Sequence, residues 1–110
     1  MDAKTRKKLE ASGWRVGDTK DFLGLSDDEA SFIELKLALA QDLRTRRLAR
    51  GLNQTQVAHL VGSSQSRVAK MEAADASVSV DLLIRALLKL GAVRKDVAKV
   101  VSRGPTAAST

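Results

Sequence analysis

The sequence predicts an all-α protein of five helices with a partly ordered N-terminal extension, and three observations support that class. From Leu25 to Val101 apolar residues recur at three- and four-residue intervals, the period of helices that bury one face. Helix-capping residues stand just ahead of those runs at Ser26, Asn53, Ser64 and Ser79, and Gly62 and Gly91 stand where runs stop. The only candidate strand is Trp14 to Val16. The expected organisation is an N-terminal extension over residues 1–24, one domain over 25–103, and a disordered tail over 104–110 introduced by Gly104-Pro105. A chain of 110 residues that is 44% hydrophobic holds one domain with a modest core.

The extension carries a basic segment, Ala3 to Ala11, expected as a frayed helix, and a short helical turn after Asp18. The apolar residues of this region, Trp14, Val16, Phe22, Leu23 and Leu25, are separated by Gly13, Gly17 and Gly24, so a loosely ordered arm is expected. Ser26 then caps a long helix, with Glu29 positioned to answer it in a capping box and with Asp27 and Asp28 at the positive helix end. This helix runs to about Ala49. Phe32, Leu35, Leu39 and Leu43 make one apolar stripe, and Ile33, Leu37 and Ala40 a neighbouring one. So broad a face calls for cover by the extension or by another chain, and the sequence favours neither.

Two short helices follow. Asn53, answered by Gln56, opens the first, whose Val57, Ala58 and Val61 face inward. Gly62 supplies the left-handed turn, and Ser63 and Ser64 offer caps for the second, whose Val68 and Met71 face inward. The pair reads as a helix-turn-helix. The outward residues of the second helix are Gln65, Ser66, Arg67 and Lys70. Glutamine pairs with adenine through two hydrogen bonds, arginine or lysine with guanine, and serine with either, so these four are the expected base-reading residues. Ser79 caps a helix from Val80 to Leu90 stopped by Gly91, and a last helix spans Arg94 to Val101.

Charge is divided along the chain. Residues 21–42 carry six acids against Lys36 alone, a net −5, whereas residues 43–71 carry Arg44, Arg46, Arg47, Arg50, Arg67 and Lys70 and no acid, a net +6. A stretch free of acids that coincides with the helix-turn-helix suits contact with phosphates, where each cation gains by counterion release.

Other function classes lack their chemistry. No cysteine is present, which removes disulfides and thiolate metal sites. The lone histidine, His59, sits mid-helix and is expected at the surface, with no acid nearby to make a nucleophile relay, so no enzyme, cofactor or metal is expected. Few aromatic side chains argue against stacking unpaired bases. No apolar stretch reaches membrane-spanning length, and the basic N-terminus lacks the apolar core of a secretion signal, so a cytoplasmic protein is expected.

From Leu43 to Gly91 the chain resembles the Cro and phage-repressor (XRE-type) family. The resemblance rests on Arg47, Gly51-Leu52-Asn53-Gln54, Ala58, Gly62, Ser64-Gln65-Ser66, Glu72 and the run from Asp81-Leu82-Leu83 to Leu90-Gly91. It implies a five-helix domain that binds a palindromic operator in double-stranded DNA as a homodimer. It further implies that Gln54 touches phosphate and braces Gln65, and that Arg47 forms an ion pair with Glu72. Asn53, Arg50, Ser64 and Ser79 complete the expected set of DNA-backbone contacts. Ala73-Ala74-Asp75 departs from the family, which usually has Asn-Gly or a similar glycine turn there. The leader and the acidic-to-basic long helix also resemble HigA-like antitoxins of toxin–antitoxin operons, which implies a cognate toxin partner held through Trp14, Phe22, Ile33 and Leu37. The alternative is a stand-alone XRE-type regulator of phage or stress-response kind.

Overall fold

The computed structural model describes Gly24 and residues 26–106, and among these residues it is five helices with no strand. They are α1 (Asp27–Ala49), α2 (Gln54–Val61), α3 (Gln65–Glu72), α4 (Val80–Lys89) and α5 (Arg94–Arg103). The expected basic helix from Ala3 to Ala11, the turn after Asp18 and the candidate strand at Trp14 lie outside the described residues.

Each helix starts where its side chains satisfy free backbone N–H groups. Ser26 Oγ accepts from Glu29 N while the Glu29 carboxylate accepts from Ser26 N, and Asn53 and Gln56 repeat this reciprocal box at α2. Ser64 and Ser79 cap α3 and α4 through Arg67 N and Leu82 N. At α5 only half of the box exists. Asp96 accepts from Val93 N at 3.0 Å, but valine has no oxygen to return.

The four turns between helices close alike. After α1 the Leu52 N–H reaches back to the Arg47 carbonyl and the Gly51 N–H to Leu48, and Ser63 with Gly62 and Ala92 with Gly91 repeat the pattern after α2 and α4. This double closure is a Schellman motif, and it needs one residue in the left-handed region. Glycine fills that position three times, with φ of 69° at Gly51, 70° at Gly62 and 102° at Gly91. The turn after α3 uses Ala74 instead. Asp75 N bonds Lys70 O, Ala74 N bonds Met71 O, and Ala74 takes φ 53° as the one non-glycine residue with positive φ among the described residues. The departure from the family pattern at 73–75 therefore preserves the turn and adds strain. Two contacts hold the loop in place: Lys36 Nζ donates to Asp75 O at 2.7 Å, and Ser77 N donates to the Asp75 carboxylate. Hydrogen bonds from Ser77 keep the Asp75 carboxyl below the usual carboxylate range, with Lys70 and Lys36 adding to the effect.

The core lies where α1 crosses α3, α4 and α5 while α2 packs on α3 and α4. Leu39, Leu43, Val57, Val68, Met71, Val78, Leu83, Leu87 and Val100 are its fully buried large side chains. Ala38, Leu39 and Ala40 are buried in succession, which on a helix covers more than half a turn. Part of the broad apolar face of α1 is thus consumed by packing on three helices of its own domain. The rest is not. Phe32 and Ile33 are exposed, and neither they nor the half-buried Leu37 join the core. Gly104 to Thr106, read from sequence as the start of a tail, turn back along α1, where Gln41 exchanges hydrogen bonds with Thr106 N and O. Residues 107–110 lie outside the described residues.

Removing the strain at Ala74 is expected to stabilise the domain. An L-residue in the left-handed region costs about 1–2 kcal/mol, part of which glycine returns through a freer unfolded chain. Ala74→Gly should therefore gain about 0.5–1 kcal/mol and raise the thermal midpoint by roughly 2–8 °C. Gly62→Ala should lower it. An unchanged or lower midpoint for Ala74→Gly would show that the turn is unstrained.

Candidate nucleic-acid interface

The start of α3 and the start of α2 are held together by one chain of hydrogen bonds. Arg47, on α1, directs Nε to Glu72 Oε2 at 2.6 Å and NH2 to Glu72 Oε1 at 3.1 Å, and its NH1 donates to Leu52 O at 3.0 Å. Both partners are largely enclosed, with side-chain exposures of 12% for Arg47 and 5% for Glu72. Hydrogen bonding to Glu72 raises the Arg47 guanidinium above its ordinary value, with burial opposing it. Gln54 Nε2 then donates to Glu72 Oε1 at 3.2 Å, and Gln65 Nε2 donates to Gln54 Oε1 at 2.6 Å. A buried charge pair thus ends in an exposed amide at the first residue of α3.

The helix-turn-helix geometry follows from local sequence. Gly62 and the Ser64 cap set the angle between α2 and α3, and Val57, Ala58, Val61, Val68 and Met71 fill the space between them. Gln65, Ser66, Arg67 and Lys70 remain exposed. Ser66 and Lys70, four residues apart, share the outer face of α3, with Gln65 on the α2 side. Arg67 stands about 200° around the helix from Gln65. There it borders a groove of about 240 Å³ between α3 and α4, together with Met71, Leu82, Arg85 and Lys89. The four expected base-reading residues are therefore not one cluster.

The expected backbone contacts divide as well. Asn53, Gln54 and Ser64 lie at the starts of α2 and α3 beside Gln65, and Ser79 caps α4. Arg50 is elsewhere: its NH1 donates to Leu90 O at 2.9 Å, at the far end of α4 from Ser79. It ties the end of α1 to the end of α4. The run of six cations is divided in the same way. Arg46 pairs with the buried Asp42 at 2.7 Å, Arg47 pairs with Glu72, and Arg50 is occupied at Leu90. Among the described residues of that stretch Arg44, Arg50, Arg67 and Lys70 are exposed and make no ion pair, and of these Arg50 is held by the Leu90 carbonyl.

Sequence reasoning missed three tethers: Lys36 on the Asp75 carbonyl, Gln41 on Thr106, and the Asp42 centre. Asp42 is the buried charged residue of α1, bonded to Arg46 and 3.8 Å from Arg103 on α5, while Arg46 lies 3.8 Å from Asp96. The i, i+4 spacing of Asp42 and Arg46 was the available signal. Of the expected partner-binding residues, Ile33 and Leu37 lie on α1 as described above, and Trp14 and Phe22 lie outside the described residues.

A protein-family model described as helix-turn-helix matches residues 43–97, half of the chain. No curated protein and no solved structure matches. Among the described residues no helix is long and apolar enough to cross a membrane.

The Arg47–Glu72 pair should be required for folding. Removing one member of a buried pair strands the other charge and costs on the order of 3–5 kcal/mol, a large share of a small domain's stability. Glu72→Ala is expected to lower the urea midpoint by the corresponding amount. An unchanged midpoint would show that Arg47 is solvated when alone.

Proposed function

The chain belongs to the helix-turn-helix family, as a DNA-binding regulator of XRE type, and we propose that it is a repressor that binds a palindromic operator as a homodimer. The observation that carries this reading is the relay from Arg47 to Gln65. It holds one amide rigidly at the exposed start of α3, and a rigid donor–acceptor edge is what reading a base requires. Gln65, Ser66 and Lys70 face base edges in the major groove, while Asn53, Gln54, Ser64 and Ser79 lie against phosphates at helix starts, where backbone N–H groups favour anions. Arg67 and Arg44 add unpaired positive charge. Arg50 stabilises the fold. A single recognition helix covers only a few base pairs, so two copies on half-sites about one helical turn apart supply the affinity. Val93, at the N-cap of α5, and Val101, within the helix, are both exposed and offer apolar surface for pairing.

Gln65→Ala and Lys70→Ala should each weaken operator binding by about 1–3 kcal/mol and leave the thermal midpoint unchanged. Wild-type affinity should fall steeply with salt. Mobility-shift titrations on an operator selected from the chain's own upstream region measure both, and equal affinity for random duplex would refute sequence-specific binding.

The finer reading is that this repressor is the antitoxin of a toxin–antitoxin operon and uses its acidic half to hold the toxin. Its support is the exposed pair Phe32 and Ile33 beside Asp28 and Glu29, an apolar surface rimmed by negative charge that suits a basic partner. Ile33→Glu is expected to abolish co-purification of the neighbouring gene's product and its neutralisation, with operator binding retained. If no neighbouring protein co-purifies with the wild-type chain, the stand-alone regulator is the correct description.

A further inference from the structure

Glu72 is enclosed within the domain, yet the relay gives it control over what Gln65 displays. An ionised carboxylate only accepts hydrogen bonds. Its Oε1 already takes Arg47 NH2 at 3.1 Å, and Gln54 can meet it at 3.2 Å only by presenting N–H, because an amide oxygen there would face a second acceptor. Gln54 is thereby turned so that Oε1 faces Gln65. Gln65 must answer with Nε2, at 2.6 Å. The Gln65 amide is left with its nitrogen on the Gln54 side and its oxygen on the other.

That order matters to a base pair. Adenine shows the major groove an acceptor, N7, next to a donor, N6–H, and glutamine meets both only when Nε2 stands over N7 and Oε1 over N6. Exchanging A·T for T·A moves the adenine to the other strand and no longer matches a fixed amide. We propose that the negative charge of Glu72 sets the reading direction of Gln65 and so decides between A·T and T·A at the pair Gln65 reads. Glu72 is a positioning residue for specificity in addition to its part in the fold. This rests on the operator-reading function above.

The test uses the full-length chain and a randomised duplex pool. Sites enriched by wild type and by Gln65→Ala identify the pair that depends on Gln65, and competition titrations then give the A·T to T·A preference there. A bidentate contact predicts a preference of about 5- to 140-fold. Two variants release the amide. Gln54→Ala leaves the ion pair whole, and the double variant Arg47→Met with Glu72→Gln removes both charges, so that none is stranded and position 72 can donate or accept. Each should reduce the preference to within about twofold at that pair, while preferences at pairs that depend on Lys70 persist. A purely structural role for Glu72 would weaken all positions together. If the folded double variant keeps the wild-type preference, or Gln54→Ala keeps it, the proposal is overturned, and Gln54→Ala decides alone should the double variant not fold. A wild type that does not distinguish A·T from T·A at the Gln65-dependent pair also overturns it. A wild type that enriches no sequence refutes the operator reading itself, which is a distinct outcome.

Discussion

The bond between Arg47 and Glu72 is the constraint on which the remaining architecture depends. It joins α1 to the end of α3, and through the Leu52 carbonyl and Gln54 it also fixes the entry to α2. Two enclosed charges lose their hydration, so the pair is favourable only when nearly every donor and acceptor is met. Here each carboxylate oxygen has a guanidinium donor, and the third guanidinium contact goes to a backbone carbonyl that ends a turn. Geometry that complete leaves α2 and α3 little freedom to move relative to α1, which suits a surface whose side chains must match a rigid duplex.

The turns act in the same direction. Four double-bonded closures in sequence give each helix a defined exit, and the short α2 and α3, at eight residues each, owe their persistence to caps and burial more than to helix propensity. The turn after α3 is the exception in residue type only. Ala74 accepts an unfavourable conformation because the loop is held from two sides, by Lys36 reaching across from α1 and by Ser77 on Asp75. Strain of this size persists when the surroundings over-determine the backbone.

Electrostatics divide the molecule less simply than the linear charge pattern suggests. Half of the basic stretch is engaged inside the fold, around Asp42, Glu72 and the Leu90 carbonyl. What remains exposed without such a partner is Arg44 on α1 and Arg67 and Lys70 on α3, with Arg85 and Lys89 of α4 lining the groove beside Arg67. The exposed positive charge thus draws on three helices that are separate in the sequence. The acidic end is more local, since Asp27, Asp28 and Glu29 serve the first turn of α1 and stay exposed beside Phe32 and Ile33.

Helix number, helix ends and the inward faces were legible in the sequence because they are set by neighbours within four residues. Caps at Ser26, Asn53, Ser64 and Ser79, the stops at Gly62 and Gly91, and the burial of Val57, Ala58, Val61, Val68 and Met71 all follow from local spacing. Which long side chain meets which distant group was not written at that range. Arginines 46, 47 and 50 are equivalent in composition: the first meets Asp42 within α1 at i, i+4 spacing, and only the packing of α1 on α3 and α4 sends the second to Glu72 and the third to Leu90. The same holds for Arg67, which has the right chemistry for a base edge but is turned toward α4 by its angular position on α3. Tertiary structure decided the partners because an ion pair or a hydrogen bond depends on distances of about 3 Å, which periodicity along one chain does not specify.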